Sequence, residues 1–178
     1  LNCPFGTGHM GVTAENVAAE HDISRAQQDA FAMTSQTRAA AAIREGRFED
    51  QITPVSVKVK RDKVDFMRDE HPKQTDEAAL AGLRPVFQKD GSVTAGNASG
   101  INDGAAALVL AQASAAQMAG LRPRARVLGY AHAGVRPEVM GIGPIPAVQN
   151  LLPKIGLTVE DFDVIESNEA FAAQALAV

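Results

Sequence analysis

Apolar and polar residues follow two different periods in the first third of the chain. Between residues 26 and 43, apolar or small residues recur at steps of three and four, which predicts one face of an α-helix. Ser24 stands three residues before Gln27, the spacing of a capping box, and Gly46 fits the end of the helix. Residues 53–59 alternate with period two and predict a half-exposed strand. The helical stripe consists of Ala26, Ala30, Met33, Thr37, Ala40 and Ile43.

Shorter elements surround this helix and strand. A helix is expected over residues 14–21 with Thr13 as its cap, and another from Thr75 through Ala81, ended by Gly82. Residues 60–72 are charged and without a regular period, so they are expected to be irregular.

The second half of the chain predicts an α/β fold. The apolar run 105–111 is typical of a buried strand or a buried helix, and its period does not decide between them. A helix over 113–119 is followed by a strand over 125–133. A further helix opens in the Gly141–Pro146 stretch and runs through Ile155, and a strand follows at 164–165. The order from residue 125 onward indicates a βαβ unit with a right-handed crossover.

Composition limits the classes of function. Of 178 residues, 46% are hydrophobic, mostly small aliphatic ones, which suits helices packed tightly on a sheet. The net charge of -4 does not favour binding to nucleic acid, and no apolar run approaches the ~18 residues needed to span a membrane. A single cysteine excludes an internal disulfide. We expect a cytoplasmic protein. The start at Leu1 and the stop inside an Ala-rich stretch favour a truncated or incompletely covered protein.

Two segments carry candidate chemistry. Residues 92–104 are small and turn-prone, but the spacing of Gly96, Gly100 and Gly104 matches neither a P-loop nor a dinucleotide fingerprint. On spacing alone, these glycines indicate close approach of backbones. Asn168 and Glu169 follow the apolar run 162–165 and open an Ala-rich helix, at the kind of strand-to-helix corner where α/β sheets bind ligands. Taken alone, Asn168 favours a strand-end turn or a helix cap, and Glu169 is typical of a helix N-terminus.

Five blocks, in order along the whole chain, resemble the thiolases, enzymes that make or cleave 3-oxoacyl-CoA thioesters. The resemblance implies a fragment of the α/β thiolase fold. It divides the chain into a loop domain and the end of the N-terminal half (1–94), a return strand and helix (95–120), and the start of the C-terminal domain (121–178). The blocks are His9–Asn16, Ser24–Asp29, Thr94–Ala105, Met140–Pro144 and Asn168–Ala172.

The resemblance also implies an activity. It is nearest to the short-chain thiolases of the acetyl-CoA acetyltransferase type, which condense two acetyl-CoA into acetoacetyl-CoA, or reverse this, through a cysteine acyl-enzyme. The substrate is then a coenzyme A thioester, with no covalently bound cofactor and no metal. Homo-oligomerisation, as dimer or tetramer, is expected by resemblance only.

Site residues are carried over position by position. Asn168 corresponds to the residue that holds an oxyanion-hole water, and Ser99 to the hydroxyl that hydrogen-bonds the pantetheine arm. Phe87 corresponds to an aromatic residue that packs on this arm. The alternative is that Phe87 is an ordinary phenylalanine of the hydrophobic core. Contacts to the CoA nucleotide around residues 69–73 cannot be assigned. The remaining candidates line the pantetheine tunnel, the thioester end or the acyl pocket: Ala95, Gly96, His9, Met10, Met140, Ala170 and Phe171.

The chain departs from the family pattern in one serious respect. The two catalytic cysteines and the Gly-His-Pro histidine have no counterparts in it. Cys3 is no substitute, because Pro4 follows it and nothing in the sequence lowers the pKa of its thiol. We therefore predict that this segment alone is inactive. The alternative is a non-catalytic CoA-binding or assembly module that pairs with another chain.

Overall fold

The computed structural model describes residues 1–178, and it contains six α-helices and one β-hairpin. Short 3₁₀ helices lie at Glu49–Gln51, Pro137–Ile142 and Val159–Asp161. In chain order the other elements are α1 (Met10–Glu20), α2 (Arg25–Arg44), β1 (Val55–Val59), β2 (Asp62–Phe66), α3 (Glu77–Ala81), α4 (Ala113–Met118), α5 (Pro144–Ile155) and α6 (Ala172–Ala177).

The core lies where α1 packs against the 3₁₀ helix Pro137–Ile142 and against α6, which in turn packs on α2. Val17, Val93 and Ala173 are fully buried there, and Val139 is nearly so. This small core fixes the two segments that carry the candidate chemistry. Buried Val93 belongs to the segment 92–104, and buried Ala173 belongs to α6, which follows Asn168 and Glu169 in the chain.

Helix α1 begins earlier than the sequence predicts, and it has a different cap. His9 is the cap residue, since its Nδ1 accepts a hydrogen bond from the backbone N–H of Gly11 at 3.0 Å. Thr13 lies inside the first turn, where its hydroxyl donates to the carbonyl of Met10. A neutral histidine offers the same kind of acceptor as the usual capping residues, and sequence rules for caps do not include it.

Helix α2 has the predicted capping box, but it buries a different face. The backbone N–H of Ser24 donates to Oε1 of Gln27 at 2.8 Å, and the N–H of Gln27 donates to Ser24 Oγ at 3.3 Å. The buried residues are Gln28, Ala32 and Ala42, whereas most of the predicted stripe is exposed. Alanines occur all round this helix, so apolar periodicity does not distinguish the inward side.

The strand predicted at 53–59 is confirmed as β1, and it pairs with β2 in antiparallel register from Val55↔Phe66 to Val59↔Asp62. The expectation that residues 60–72 are irregular is wrong for β2. Every residue of β2 is exposed, so the strand needs no apolar face and shows no hydrophobic alternation.

The other short helices form close to their predicted positions. Asp76, not Thr75, caps α3, because its Oδ1 accepts from the N–H of Ala79 at 2.7 Å. Helices α4 and α5 agree with the predicted ranges, and α5 begins at Pro144. It ends at Gly156, whose φ of +67° lies in the left-handed region that favours glycine.

The strands predicted at 125–133 and 164–165 do not form, and neither does the βαβ unit. The run 105–111, expected as a buried strand or a buried helix, is neither of the two. The hairpin of β1 and β2 is the only sheet in the chain. The three segments have no regular secondary structure, and Leu108 and Val109 are 87% and 93% exposed. A strand is stabilised by hydrogen bonds to a neighbour, and none of the three finds a partner strand within these residues. None of the six α-helices combines the length and the hydropathy that a membrane-spanning helix requires.

Candidate functional site

Two distant segments of the chain are hydrogen-bonded to each other at the candidate site. Ala98 and Phe171 form an isolated antiparallel bridge. The backbone N–H of Ser99 donates to the carbonyl of Ala170, and the N–H of Ala172 donates to the carbonyl of Asn97, each at 2.9 Å. The segment with Ser99 and the segment with Asn168 therefore lie side by side, as the sequence assignment requires.

An aromatic cluster adjoins this bridge. The rings of His9 and Phe87 stack with centroids 4.7 Å apart, and Phe87 meets Phe171 edge-on at 6.4 Å. The cluster depends on Gly11, because a Cβ at that position would collide with the Phe87 ring. The structure thus brings together three residues that the sequence assigned separately to one site.

A cavity of about 200 Å³ lies beside the bridge. Ser99 and Gly96 line it from one side, and Ser35 lines it from α2. His71 and Pro72 line it as well, so part of the segment 69–73 reaches the site even though its role could not be assigned from the sequence. The cavity is small and its lining is partly polar.

Asn168 is exposed, and its neighbour Glu169 is held by α2. The hydroxyl of Ser35 donates to Oε2 of Glu169 at 2.7 Å. The predicted helix begins later than expected, at Ala172, and its cap residue is Phe171. Asn168 is therefore not a helix cap, and it lies in a segment without regular secondary structure or a turn.

The remaining candidates lie in the elements around the cluster. Met10 is the first residue of α1, and Met140 lies 40% exposed in the 3₁₀ helix that packs on α1. Ala95 is exposed beside Gly96. A Cβ at Gly96 would come within 2.7 Å of Leu80 and Leu83 side-chain carbons, so this glycine allows the close backbone approach that its small-residue context indicates.

Buried polar residues under the site were missed by the sequence interpretation. Glu15 is 6% exposed, and its carboxylate accepts hydrogen bonds from the N–H groups of Ser92 and Val93, at 2.8 and 2.9 Å respectively. Asn97 is 4% exposed and fully engaged in hydrogen bonds. A polar residue in a helix or loop ordinarily indicates a solvated position, so no local signal marks these two as buried.

Cys3 differs from its prediction. Cys3 is buried in a turn that runs to Gly8, and the Thr7 hydroxyl within this turn lowers the pKa of the thiol. The backbone of Phe5 lowers this pKa further. The expectation that nothing lowers it is therefore wrong, because the turn from Cys3 to Gly8 that supplies these groups cannot be read from residue types.

Comparison with known proteins decides the family. Residues 1–114 match the family description "Thiolase, N-terminal domain", and residues 121–178 match "Thiolase, C-terminal domain". The chain belongs to the thiolase family. The resemblance seen in the sequence blocks is confirmed, and so is the α/β thiolase-like fold class.

Among its relatives, the beta-ketothiolase BktB of Cupriavidus necator is 56% identical over 180 residues, covering 100% of this thiolase chain and 46% of that protein. An acetyl-CoA acetyltransferase of Syntrophomonas wolfei is 53% identical over 174 residues, covering 98% and 44%. The crystal structure of the Bacillus anthracis acetyl-CoA acetyltransferase superposes with a TM-score of 0.92 at 51% identity, covering 99% and 45%. The chain thus spans less than half the length of these relatives.

Proposed function

We propose that this chain is the part of an acetyl-CoA acetyltransferase-type thiolase that binds the pantetheine arm of an acyl-CoA and holds one oxyanion-hole water. The bridge between Ala98 and Phe171 carries the proposal, because it sets the Ser99 hydroxyl beside the segment of Asn168. A group that grips the CoA arm and a group that stabilises developing charge must be close in space. Ser99 and Asn168 are far apart in the sequence, and the bridge brings their two segments together.

The reaction we infer is the condensation of two acetyl-CoA into acetoacetyl-CoA, or its reverse, thiolysis. A cysteine thiolate attacks the carbonyl carbon of one acetyl-CoA, and the thioester C–S bond breaks, so that CoA leaves as its thiolate and takes up a proton. The second cysteine removes a proton from the α-carbon of another acetyl-CoA, and this carbon attacks the acetyl-enzyme, which forms acetoacetyl-CoA and releases the first cysteine as a thiolate. The amide of Asn168 holds a water that donates a hydrogen bond to the developing oxyanion, and it does so without adding charge. The nucleophilic cysteine, the proton-transferring cysteine and the histidine are supplied by residues outside these 178.

The substrate class is a 3-oxoacyl-CoA thioester. The names of several relatives support this, since they are an acetyl-CoA acetyltransferase, a beta-ketothiolase and, in Pseudomonas putida, a beta-ketoadipyl-CoA thiolase. The His9, Phe87 and Phe171 rings would pack against the thin arm and its thioester end. By resemblance, the complete enzyme is a dimer or tetramer of identical subunits.

Thiolysis of acetoacetyl-CoA by the full-length protein tests the proposal. We expect CoA-dependent loss of acetoacetyl-CoA, together with a protein species that is heavier by one acetyl group when the reaction is quenched. The 178-residue chain, assayed in parallel, should bind CoA and turn nothing over. Absence of both turnover and the acetylated species in the full-length protein would contradict the proposal.

The second candidate is a CoA-binding module without catalysis, favoured by the lack of a counterpart to either catalytic cysteine. The two candidates differ in what copurifies with the chain from its source. A separate polypeptide with a Gly-His-Pro histidine and the catalytic cysteines would favour the module.

A further inference from the structure

Asn97 is a buried residue whose side-chain amide has every hydrogen-bonding group in use. Its Oδ1 accepts from the backbone N–H of Thr94 at 2.7 Å. Its Nδ2 donates to Oδ1 of Asp29 at 2.9 Å and to the carbonyl of Ser92 at 3.1 Å. One acceptor and two donors are needed at a single point, and only an amide side chain provides both.

Asp29 connects this amide to the helical framework. The carboxylate uses one oxygen for Asn97, and the other accepts from Nε of Arg25 at 2.7 Å. Arg25 also donates to the backbone carbonyls of Leu80 and Leu83, where α3 ends. Asp29 and Arg25 are 12% and 26% exposed, so the cluster is screened little by water. The turn around Asn97 is thus fixed to α2 and α3.

The backbone of the same residue reaches the other half of the site. The carbonyl of Asn97 accepts from the N–H of Ala172, and two residues on, the N–H of Ser99 donates to the carbonyl of Ala170. A shift of the Asn97 turn would therefore move the Ser99 hydroxyl and pull on the segment that carries Asn168.

We propose that Asn97, held by Asp29, is a positioning residue that sets the CoA-arm contact and the oxyanion segment relative to each other. The inference rests on the proposed function for the roles of Ser99 and Asn168. It predicts that a disturbance at position 97 changes substrate binding and turnover together, because one hydrogen-bond cluster supports both.

The test compares isosteric variants of the full-length protein. Asn97→Asp keeps the size of the side chain but loses both donors and faces the Asp29 carboxylate, and Asp29→Asn keeps an acceptor but loses the ion pair with Arg25. Glu45→Gln is the matched control, since Glu45 adjoins the far end of α2 and pairs with surface arginines. Thiolysis kinetics per titrated active site, hydrogen exchange at the amides of Ser99 and Ala172, and the thermal midpoint are measured for each.

For Asn97→Asp we expect a rise in KM for acetoacetyl-CoA and a fall in kcat, together lowering kcat/KM by about 100-fold, the scale of a small misplacement of reacting groups. Asp29→Asn should give a smaller change of the same kind, and the double exchange should recover part of it by restoring a donor between the two positions. In Asn97→Asp, both bridge amides should exchange faster than in wild type. Glu45→Gln should leave all readouts unchanged.

The proposal is overturned if the thermal midpoint falls while kcat and KM keep their wild-type values, because the cluster would then only stabilise the fold. A change in KM alone would also overturn it, since the oxyanion segment would be independent of Asn97. If Asn97→Asp does not fold, Asp29→Asn decides by the same criteria. If the wild-type protein has no thiolase activity, the proposed function fails. Hydrogen exchange at the amides of Ser99 and Ala172 then still decides whether the Asn97 cluster holds the two segments together.

Discussion

Two asparagines at the site show how the same residue type takes opposite roles. Asn97 is buried, and its amide is consumed by Thr94, Asp29 and Ser92, so it has nothing left for a ligand. Asn168 is exposed at the end of a segment whose backbone is tied to the chain at Ala170. The amide of Asn97 can therefore only stabilise the fold around it, whereas the amide of Asn168 is available to a water or a substrate.

Replacing Asn168 by Ala in the full-length protein is expected to reduce kcat for acetoacetyl-CoA thiolysis by roughly 100-fold, the usual effect of removing one oxyanion-hole donor. KM should change little, because the water is needed in the transition state more than in the ground state. Steady-state kinetics measure both. Asn150→Ala, at an exposed position of α5, is the control. An undiminished kcat in Asn168→Ala would remove this residue from the oxyanion hole.

The Ser99 variant should show the opposite division between the constants. If Ser99 makes the proposed contact, Ser99→Ala removes one neutral hydrogen bond to the pantetheine arm, worth about 1 kcal/mol, so KM should rise about five-fold with kcat unchanged. Ser114→Ala, exposed on α4, should have no effect. Isothermal titration with CoA gives the same comparison without turnover. Equal affinity of wild type and variant would exclude the contact.

At the scale of elements, the sequence predicted helices well where a local signal begins or ends them. The Ser24 capping box, Pro144 at the start of α5 and Gly156 at its end are such signals. It failed where the signal lies outside the element. Helix α2 buries the face with Gln28 because Gln28 donates a hydrogen bond to Ser92, which in turn donates to Glu15. Strand β2 forms because its backbone pairs with β1. Residue propensity and hydrophobic period describe the segment itself, and they do not predict which other segment it packs against.

The contact between α1 and Phe87 gives a test at this scale. Gly11→Ala places a methyl group against the Phe87 ring, so we expect a loss of about 1–3 kcal/mol in stability from overpacking. KM for acetoacetyl-CoA should also rise, since the stack of His9 on Phe87 is displaced. Gly104→Ala is the matched control, because a Cβ there meets nothing within 4 Å. Unfolding midpoints and kinetics of the two full-length variants are compared. Equal midpoints would show that α1 accommodates the methyl group.

At the scale of the whole molecule, the contacts of the candidate site form within these 178 residues, whereas the sheet predicted for the second half of the chain does not form. The motif blocks predicted a set of site residues, and the structure brings several of them together, among them His9, Phe87 and Phe171. The aromatic cluster and the bridge form entirely from residues 9–172. The apolar run 105–111 and the predicted strand 125–133 have no partner strand, and their large apolar side chains are exposed. Apolar runs predict that a segment is to be buried without stating what buries it.

This exposure predicts self-association of the 178-residue chain. Leu108, Val109 and Leu110 form a continuous apolar stretch, each at least 78% exposed, with unpaired backbone groups that can template another strand. Sedimentation velocity should therefore give a coefficient that rises with concentration. Leu108→Lys combined with Leu110→Lys should suppress the rise, whereas Ser114→Lys combined with Gln117→Lys adds the same charge on α4 and should not. In the full-length protein, amides 105–111 should be protected from hydrogen exchange. A wild-type chain that stays monomeric at all concentrations would mean that this stretch is not adhesive by itself.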